Sequence, residues 1–347
     1  MRFIDYSAII TLAWSKYNSS KRITSVEDIS AKVSTNHVFK VNFLGGNFVI
    51  AKLSYFGHYE HFKEDHKIIN VLANNLLYPY EHFVGRALTK DDEVFTYRYN
   101  RAGVDIWVVF YNPIRTAQKL PKVVSNSQIS ILGEELAKFH LACTELKDVL
   151  PPSSKTMAKD LEDLLESLKT EEGQFEHRLV LDEIRRQCDL FFENSTKFDY
   201  RSFDSIPVFI DWNIGNFSVT DDTRLFARWD YDWFRMSTRV LDFYFFARVV
   251  RAEGDQTAFS YTVDPLLEDR FILFLKSYHS IFPLSANEVR FIKEAYRFFL
   301  LNYVVKFGRY FYLDRFALKL KKEAFEIYFP SLDHTDVADK ILKALNI

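Results

Sequence analysis

Between Pro207 and Asp242 the chain carries polar residues whose types suit a hard cation and a proton acceptor. Asp211 is followed five residues later by Asn216, with Gly215 between them. Phe217-Ser218-Val219 and Leu225-Phe226-Ala227 then read as two short strands around the turn residues Thr220-Asp221-Asp222-Thr223. The second strand delivers Asp230 and Asp232, and Asp242 follows twelve residues after Asp230. A tight hairpin that brings an Asp…Asn pair against a second carboxylate supplies oxygen ligands of the kind Mg²⁺ takes, with phosphates completing its shell. An aspartate without metal duty is then free to act as a base.

These groups need elements to hold them. Residues 1–18 carry apolar positions at helical spacing and stop at Asn18-Ser19-Ser20. From Ile29 the period changes to two, so Asp28 to Leu53 reads as two antiparallel hairpins, with Ser34-Thr35-Asn36 at one turn and Gly45-Gly46 at the next. The last of these strands, Val49-Ile50-Ala51-Lys52-Leu53, is apolar except for Lys52, a charge that needs a partner there. Glu60 to Leu77 repeats Phe62, Ile68-Ile69, Leu72 and Leu76 at helix spacing. Glu93 to Tyr99 and Ile106 to Tyr111 complete a five-stranded antiparallel sheet, which the chain leaves at Tyr111-Asn112-Pro113. Helices follow at Ser125 to Leu146, as two charged amphipathic helices within 157–195, and at 241–250, 264–280 and 286–310. Ser285-Ala286-Asn287-Glu288 is a capping box opening the last of them.

The catalytic stretch resembles that of the aminoglycoside phosphotransferase/choline kinase family, small-molecule kinases with a protein-kinase-like fold. Their segment runs H-G-D-x-x-x-x-N, a hairpin, I-D-(W/F)-(E/D/G), and an Asp about twelve residues on; Asp211, Asn216, Trp229-Asp230-Tyr231-Asp232 and Asp242 match it. A second patch, Gly133-Glu134-Glu135-Leu136-Ala137-Lys138-Phe139-His140, resembles the family's helix that supports the catalytic loop. One departure is plain: Phe209 stands where the family has a histidine that supports this loop.

The resemblance implies an α+β, two-lobed protein-kinase-like fold: residues 1–113 as an amino-terminal lobe built on the five-stranded sheet, and 114–347 as a mainly helical carboxy-terminal lobe. It implies Asp211 as catalytic base, Asn216 and Asp230 as Mg²⁺ ligands, and Asp242 as a structural carboxylate. Lys52 would reach the ATP phosphates, Ser34 and Asn36 would lie at the tip of the lid over them, and the exit at Tyr111 would read the adenine edge. Glu64 and Asp65 both fit as the acid that pairs Lys52, with Glu60 a third choice. His140 would be a packed structural histidine, and Asp232 either a loop hydrogen-bonder or a contact to an acceptor amine.

Composition narrows the classes. Apolar residues make up 48% of 347 and aromatics 17%, which excludes a disordered chain. A formal net charge of −2 gives no broad nucleic-acid footprint. No apolar run approaches the ~18 residues that span a bilayer, and Tyr6 to Trp14 reads as a packed helix rather than a signal peptide. Cys143 and Cys188, far apart and outside any ligand pattern, fit two buried thiols in a reducing cytoplasm. The expected activity is ATP- and Mg²⁺-dependent phosphorylation of a small-molecule hydroxyl, with no nucleic-acid or membrane partner. A catalytically idle pseudokinase is the alternative, favoured by Phe209 and by Trp212-Asn213-Ile214 after Asp211. A glycosidase-like pairing of Asp211 with Asp230 gives no role to Lys52, Asn216 or the hairpin.

Overall fold

The structure, a computed structural model, describes residues 4–30, 37–101, 103–254 and 260–347. Helix α1 (Tyr6–Tyr17) is capped by Asp5, whose Oδ1 accepts the N–H of Ala8 at 3.0 Å. Strands β1 (Ile23–Asp28), β2 (His37–Phe43), β3 (Phe48–Ser54), β4 (Thr96–Arg101) and β5 (Val104–Tyr111) form one antiparallel sheet in the order β1-β2-β3-β5-β4. The sheet has five antiparallel strands as expected, but its first is 23–28; the strand expected from Ile29 and its turn at Ser34-Thr35-Asn36 fall largely outside the described residues. The alternation of β1 is weak because it is an edge strand with polar residues on both faces. Asp28 ends it by accepting the N–H of Ser30.

Strand periodicity divides the two cores. Along β5, Val108 and Phe110 join Ile10 and Trp14 of α1 on one face, while Trp107, Val109 and Tyr111 face the other way, toward helix α2 (Tyr59–Asn75) and the rest of the chain. On β3, Ala51 and Leu53 belong to the α1 side, so Lys52 between them points to the other face. The lysine is thereby delivered to the middle of the molecule.

Beyond the sheet the chain is mainly helical. Helix α3 (Asn126–Glu145) opens on a Ser125/Gln128 capping box and packs against α4 (Asp269–Ile281). A β-carbon on Gly133 would collide with the carbonyl oxygen of Phe274, so the close approach of these helices requires glycine there. The charged insertion holds three helices, Met157–Ser167, Glu171–His177 and Leu181–Lys197, rather than two. The expected 286–310 helix is α-helical for Ala286–Phe299, opening on the Ser285/Glu288 capping box, and then widens into a π-helix over Leu300–Lys306. No helix among the described residues is long and apolar enough to cross a membrane.

Candidate active site

Two small antiparallel ladders grip the catalytic stretch. Strand β6 (Ile206–Val208) pairs with β9 (Arg235–Ser237), and β7 (Phe217–Val219) with β8 (Leu225–Arg228). Between them run two loops, 209–216 carrying Asp211 and 229–234 carrying Asp230 and Asp232.

The first loop hangs on Asp242, which is fully buried. Its Oδ1 accepts the N–H groups of Phe209 and Ile210 at 3.0 and 2.6 Å, and its Oδ2 meets His140 Nε2 at 3.0 Å. Burial holds the imidazole of His140 below its usual range, so the ring is neutral. Its single N–H then donates to the carboxylate, and Nδ1 accepts from the hydroxyl of Tyr278 at 2.8 Å. Both His140 and Asp242 therefore support the loop. Ile210 has a left-handed backbone, φ +62°, at the position where the resembled kinases carry glycine. For a β-branched residue that conformation is strained.

Asp211 is held on both oxygens: Asn213 Nδ2 donates to Oδ1, and Asn216 Nδ2 to Oδ2 at 2.9 Å. Burial and the neighbouring Asp230 push its carboxyl up to about 6, against the pull of Arg228 and Arg248. A proton acceptor titrating near there is suitably poised for general-base work.

Lys52 Nζ lies 2.6 Å from Asp230 Oδ1 and 2.8 Å from Asp232 Oδ1. Burial works against its proton, but the two carboxylates outweigh that and keep it a cation. Asp230, also in a left-handed conformation (φ +69°), is held below the usual carboxylate range by Lys52, while burial and the charge of Asp230 push Asp232 up. One ammonium thus serves two carboxylates.

That arrangement corrects the expected partner of Lys52. Glu64 Oε1 accepts the N–H of Ser154 at 2.6 Å, and Asp65 Oδ2 pairs with Lys155 Nζ at 2.5 Å. Lys155, arriving just after the Pro151-Pro152 turn, also donates to the carbonyl of Phe234 at 2.7 Å. The helix acid is therefore spent on a cation from the helical part of the chain, and Lys52 is already satisfied. Burial still pushes Asp65 up to about 6. Next to it His66 is buried and neutral, its ring pushed down to about 3 by burial.

Tyr111 ends β5, with its ring buried 5.8 Å from that of His66 and 5.6 Å from that of Tyr231. At this exit the N–H of Asn112 is taken by the carbonyl of Arg86 at 3.0 Å. Ser34 and Asn36 lie outside the described residues. A cavity of about 260 Å³ adjoins Asp232, walled among others by Asp65, Lys155, Arg235, Asn302 and Lys306.

Sequence reading missed Arg228. It is a charge in the apolar run Leu225-Phe226-Ala227-Arg228-Trp229, and the rule that singled out Lys52 applied equally to it. Its side chain is fully buried, and Nη2 donates to the carbonyl oxygen of Asp211 at 2.9 Å.

As to metals, no group of three His, Cys, Asp or Glu among the described residues could hold an ion by itself. Asn216 and Asp230 together offer a small set of hard oxygen donors. That fits a Mg²⁺ that completes its octahedron with phosphate oxygens and water, and does not fit a closed protein cage.

By sequence, no family model and no characterised protein matches the chain. By structure, it is similar to a microcompartment-associated aminopropanol kinase, with 14% identity and a TM-score of 0.59 over 91% of this chain and 94% of that one. An amicoumacin kinase in complex with AMP-PNP, Ca²⁺ and Ami is similar at 13% identity and a TM-score of 0.58, over 90% of each chain. The spectinomycin phosphotransferase in complex with ADP and spectinomycin gives 12% identity and a TM-score of 0.54, over the full length of both.

Proposed function

We propose that this chain, which has the protein-kinase-like fold of the aminoglycoside phosphotransferases, is an ATP- and Mg²⁺-dependent kinase of a small-molecule hydroxyl. The observation that carries the reading is the meeting of Lys52 with Asp230, from positions 178 residues apart, beside an aspartate whose carboxyl is tuned to about 6. Residues 1–113 and 114–347 are the two lobes in this account, with the nucleotide between them. Buried, unpaired Cys143 and Cys188 support a cytoplasmic setting.

Asn216 turns its amide nitrogen to Asp211, which leaves its oxygen, with the carboxylate of Asp230, to hold the metal. When bound, Mg²⁺ supplies charge neutralisation where phosphate oxygens gather. Lys52 contributes a fixed positive charge toward the phosphates. Asp211, kept in place by Asn213 and Asn216, takes the proton of the acceptor hydroxyl as that oxygen bonds to the γ-phosphorus and the bond to the β–γ bridging oxygen breaks, releasing ADP. Phosphoryl transfer asks mainly for such positioning and charge, and little covalent chemistry from the protein.

Thermal unfolding with ATP, with and without Mg²⁺, tests this on the natural protein and on Asp230→Asn. At about 100 times its dissociation constant, the ligand raises stability by about 2.7 kcal/mol. The kinase reading requires a shift that depends on Mg²⁺ and fades in the variant. A second reading, an idle pseudokinase, draws on Lys52 and Asp65 being already satisfied by other partners. A metal-independent shift would favour it, and no shift with any nucleotide would end both.

A further inference from the structure

We propose that Arg228 is a positioning residue that ties the loop of the base to the loop of the metal ligand, taking over the supporting role that Phe209 cannot perform. The inference rests on the kinase reading. Phe209 stands where the resembled kinases have histidine, and a phenyl ring has no donor to offer. The guanidinium of Arg228 lies 4.6 Å from the ring centroids of both Phe209 and Trp212. From there Nη2 donates to the carbonyl oxygen of Asp211 at 2.9 Å and to that of Asp230 at 3.4 Å. One side chain therefore touches the backbone of both aspartates on which the chemistry depends.

The backbone of Arg228 is pinned on both sides. Its N–H donates to the carbonyl of Phe83 at 2.7 Å, and its carbonyl accepts the hydroxyl of Tyr231 at 2.7 Å. That hydroxyl also accepts the N–H of Gly85 at 2.7 Å. The guanidinium is thus presented from a rigid base, between two aromatic faces that fix its plane. A planar fork between rings suits arginine and not lysine, whose ammonium is a compact point charge.

The cost of this arrangement argues for a role beyond packing. Nε and Nη1 of Arg228 are buried without a hydrogen-bond partner, and burial outweighs the attraction of the nearby Asp211 and Asp242 carboxylates for it. Burying a cation on such terms is unfavourable compared with an apolar side chain of similar shape. A core residue selected for stability alone would be methionine or leucine. Arginine at this point gives two loops a common hydrogen-bond donor, and so fixes the distance between base and metal ligand.

The test uses the full chain with Mg²⁺ and ATP, water serving as acceptor, so that release of ADP and phosphate reports turnover without knowledge of the substrate. In Arg228→Met, kcat for this hydrolysis is expected to fall about 100-fold while KM for ATP changes less than about threefold, since misplacement harms the transition state more than binding. Amide hydrogen exchange should quicken in 209–216 and 229–232 but not in α3 or α4. Adding Phe209→His to that variant should recover at least about tenfold in kcat, because a donor returns to the same place. If Arg228→Met does not fold, Arg228→Lys takes the same measurements, with one donor point in place of the fork. Unchanged kcat and loop exchange, exchange that quickens equally everywhere, or no recovery with histidine would each overturn the assignment. If the natural protein neither binds nor hydrolyses ATP, the kinase reading falls, and the loop-exchange comparison still decides whether Arg228 joins the two loops.

Discussion

Around Asp242 both carboxylate oxygens are engaged: two backbone N–H groups and a neutral imidazole converge on one buried carboxylate. Around Lys52 the ledger is lopsided, with one ammonium against two carboxylates, one of them pushed up by its neighbour's charge. The first cluster is complete without any ligand and behaves as structure. The second sets two carboxylates against one ammonium, and Asp230 keeps about a third of its side chain open to solvent (31%), so the cluster is not closed. A kinase needs both kinds: a loop that does not move, and a charge cluster that can be remade when substrates arrive.

Asp242→Ala should break the contrast most sharply. It strands the two loop amides and His140 in the core, with an expected loss of about 3–5 kcal/mol in urea unfolding. A loss below about 1 kcal/mol would mean that the loop does not hang on this residue.

Asp211→Asn comes next. Any phosphoryl transfer should drop by about 10²–10⁴-fold. The same change should stabilise the fold at pH 7 by about 1–3 kcal/mol. In the folded chain Asp211 titrates near 6 instead of its usual 3.8, so its protonated form is the one the fold favours. That contribution is fully present below about pH 4 and is lost as pH rises through about 6. The gap between natural and variant proteins should therefore close at pH 4 and open by pH 7, and chemical denaturation at the two pH values checks it.

Lys155→Met probes the less settled region, where the effect is smallest. Asp65 loses its cation and stays buried, which should cost about 1–2 kcal/mol at pH 8. At pH 5 the cost should shrink, because Asp65 already titrates near 6 and is largely protonated there. An equal cost at both pH values would show that Lys155 acts through the carbonyl of Phe234 rather than through Asp65.

Much of this was legible from the chain alone where a residue violated its surroundings. Lys52 in an apolar strand called for a partner, and the family resemblance carried by Asp211, Asn216, Asp230 and Asp242 implied that Asp242 is a structural carboxylate. The partner of Asp65 was not legible, because Lys155 lies 90 residues away and which acid a helix turns to which cation depends on tertiary register. The strand at 23–28 was missed because an edge strand, wetted on both faces, has little alternation to read. Arg228 could have been found by the same rule as Lys52. Its two carbonyl partners could not, since backbone oxygens carry no sequence signature.

Ile210 gives the loop of Asp211 a further property. Its left-handed backbone, beside Asp211, is a conformation that a β-branched residue leaves readily, at a cost of about 1–3 kcal/mol to maintain. The grip of Asp242 on its N–H, at 2.6 Å, opposes that release. Loosening that grip, as in Asp242→Ala, should let Ile210 relax toward an extended backbone and turn Asp211 away from its two asparagines. A glycine at 210 would hold the same conformation without that strain and so make the loop less dependent on Asp242.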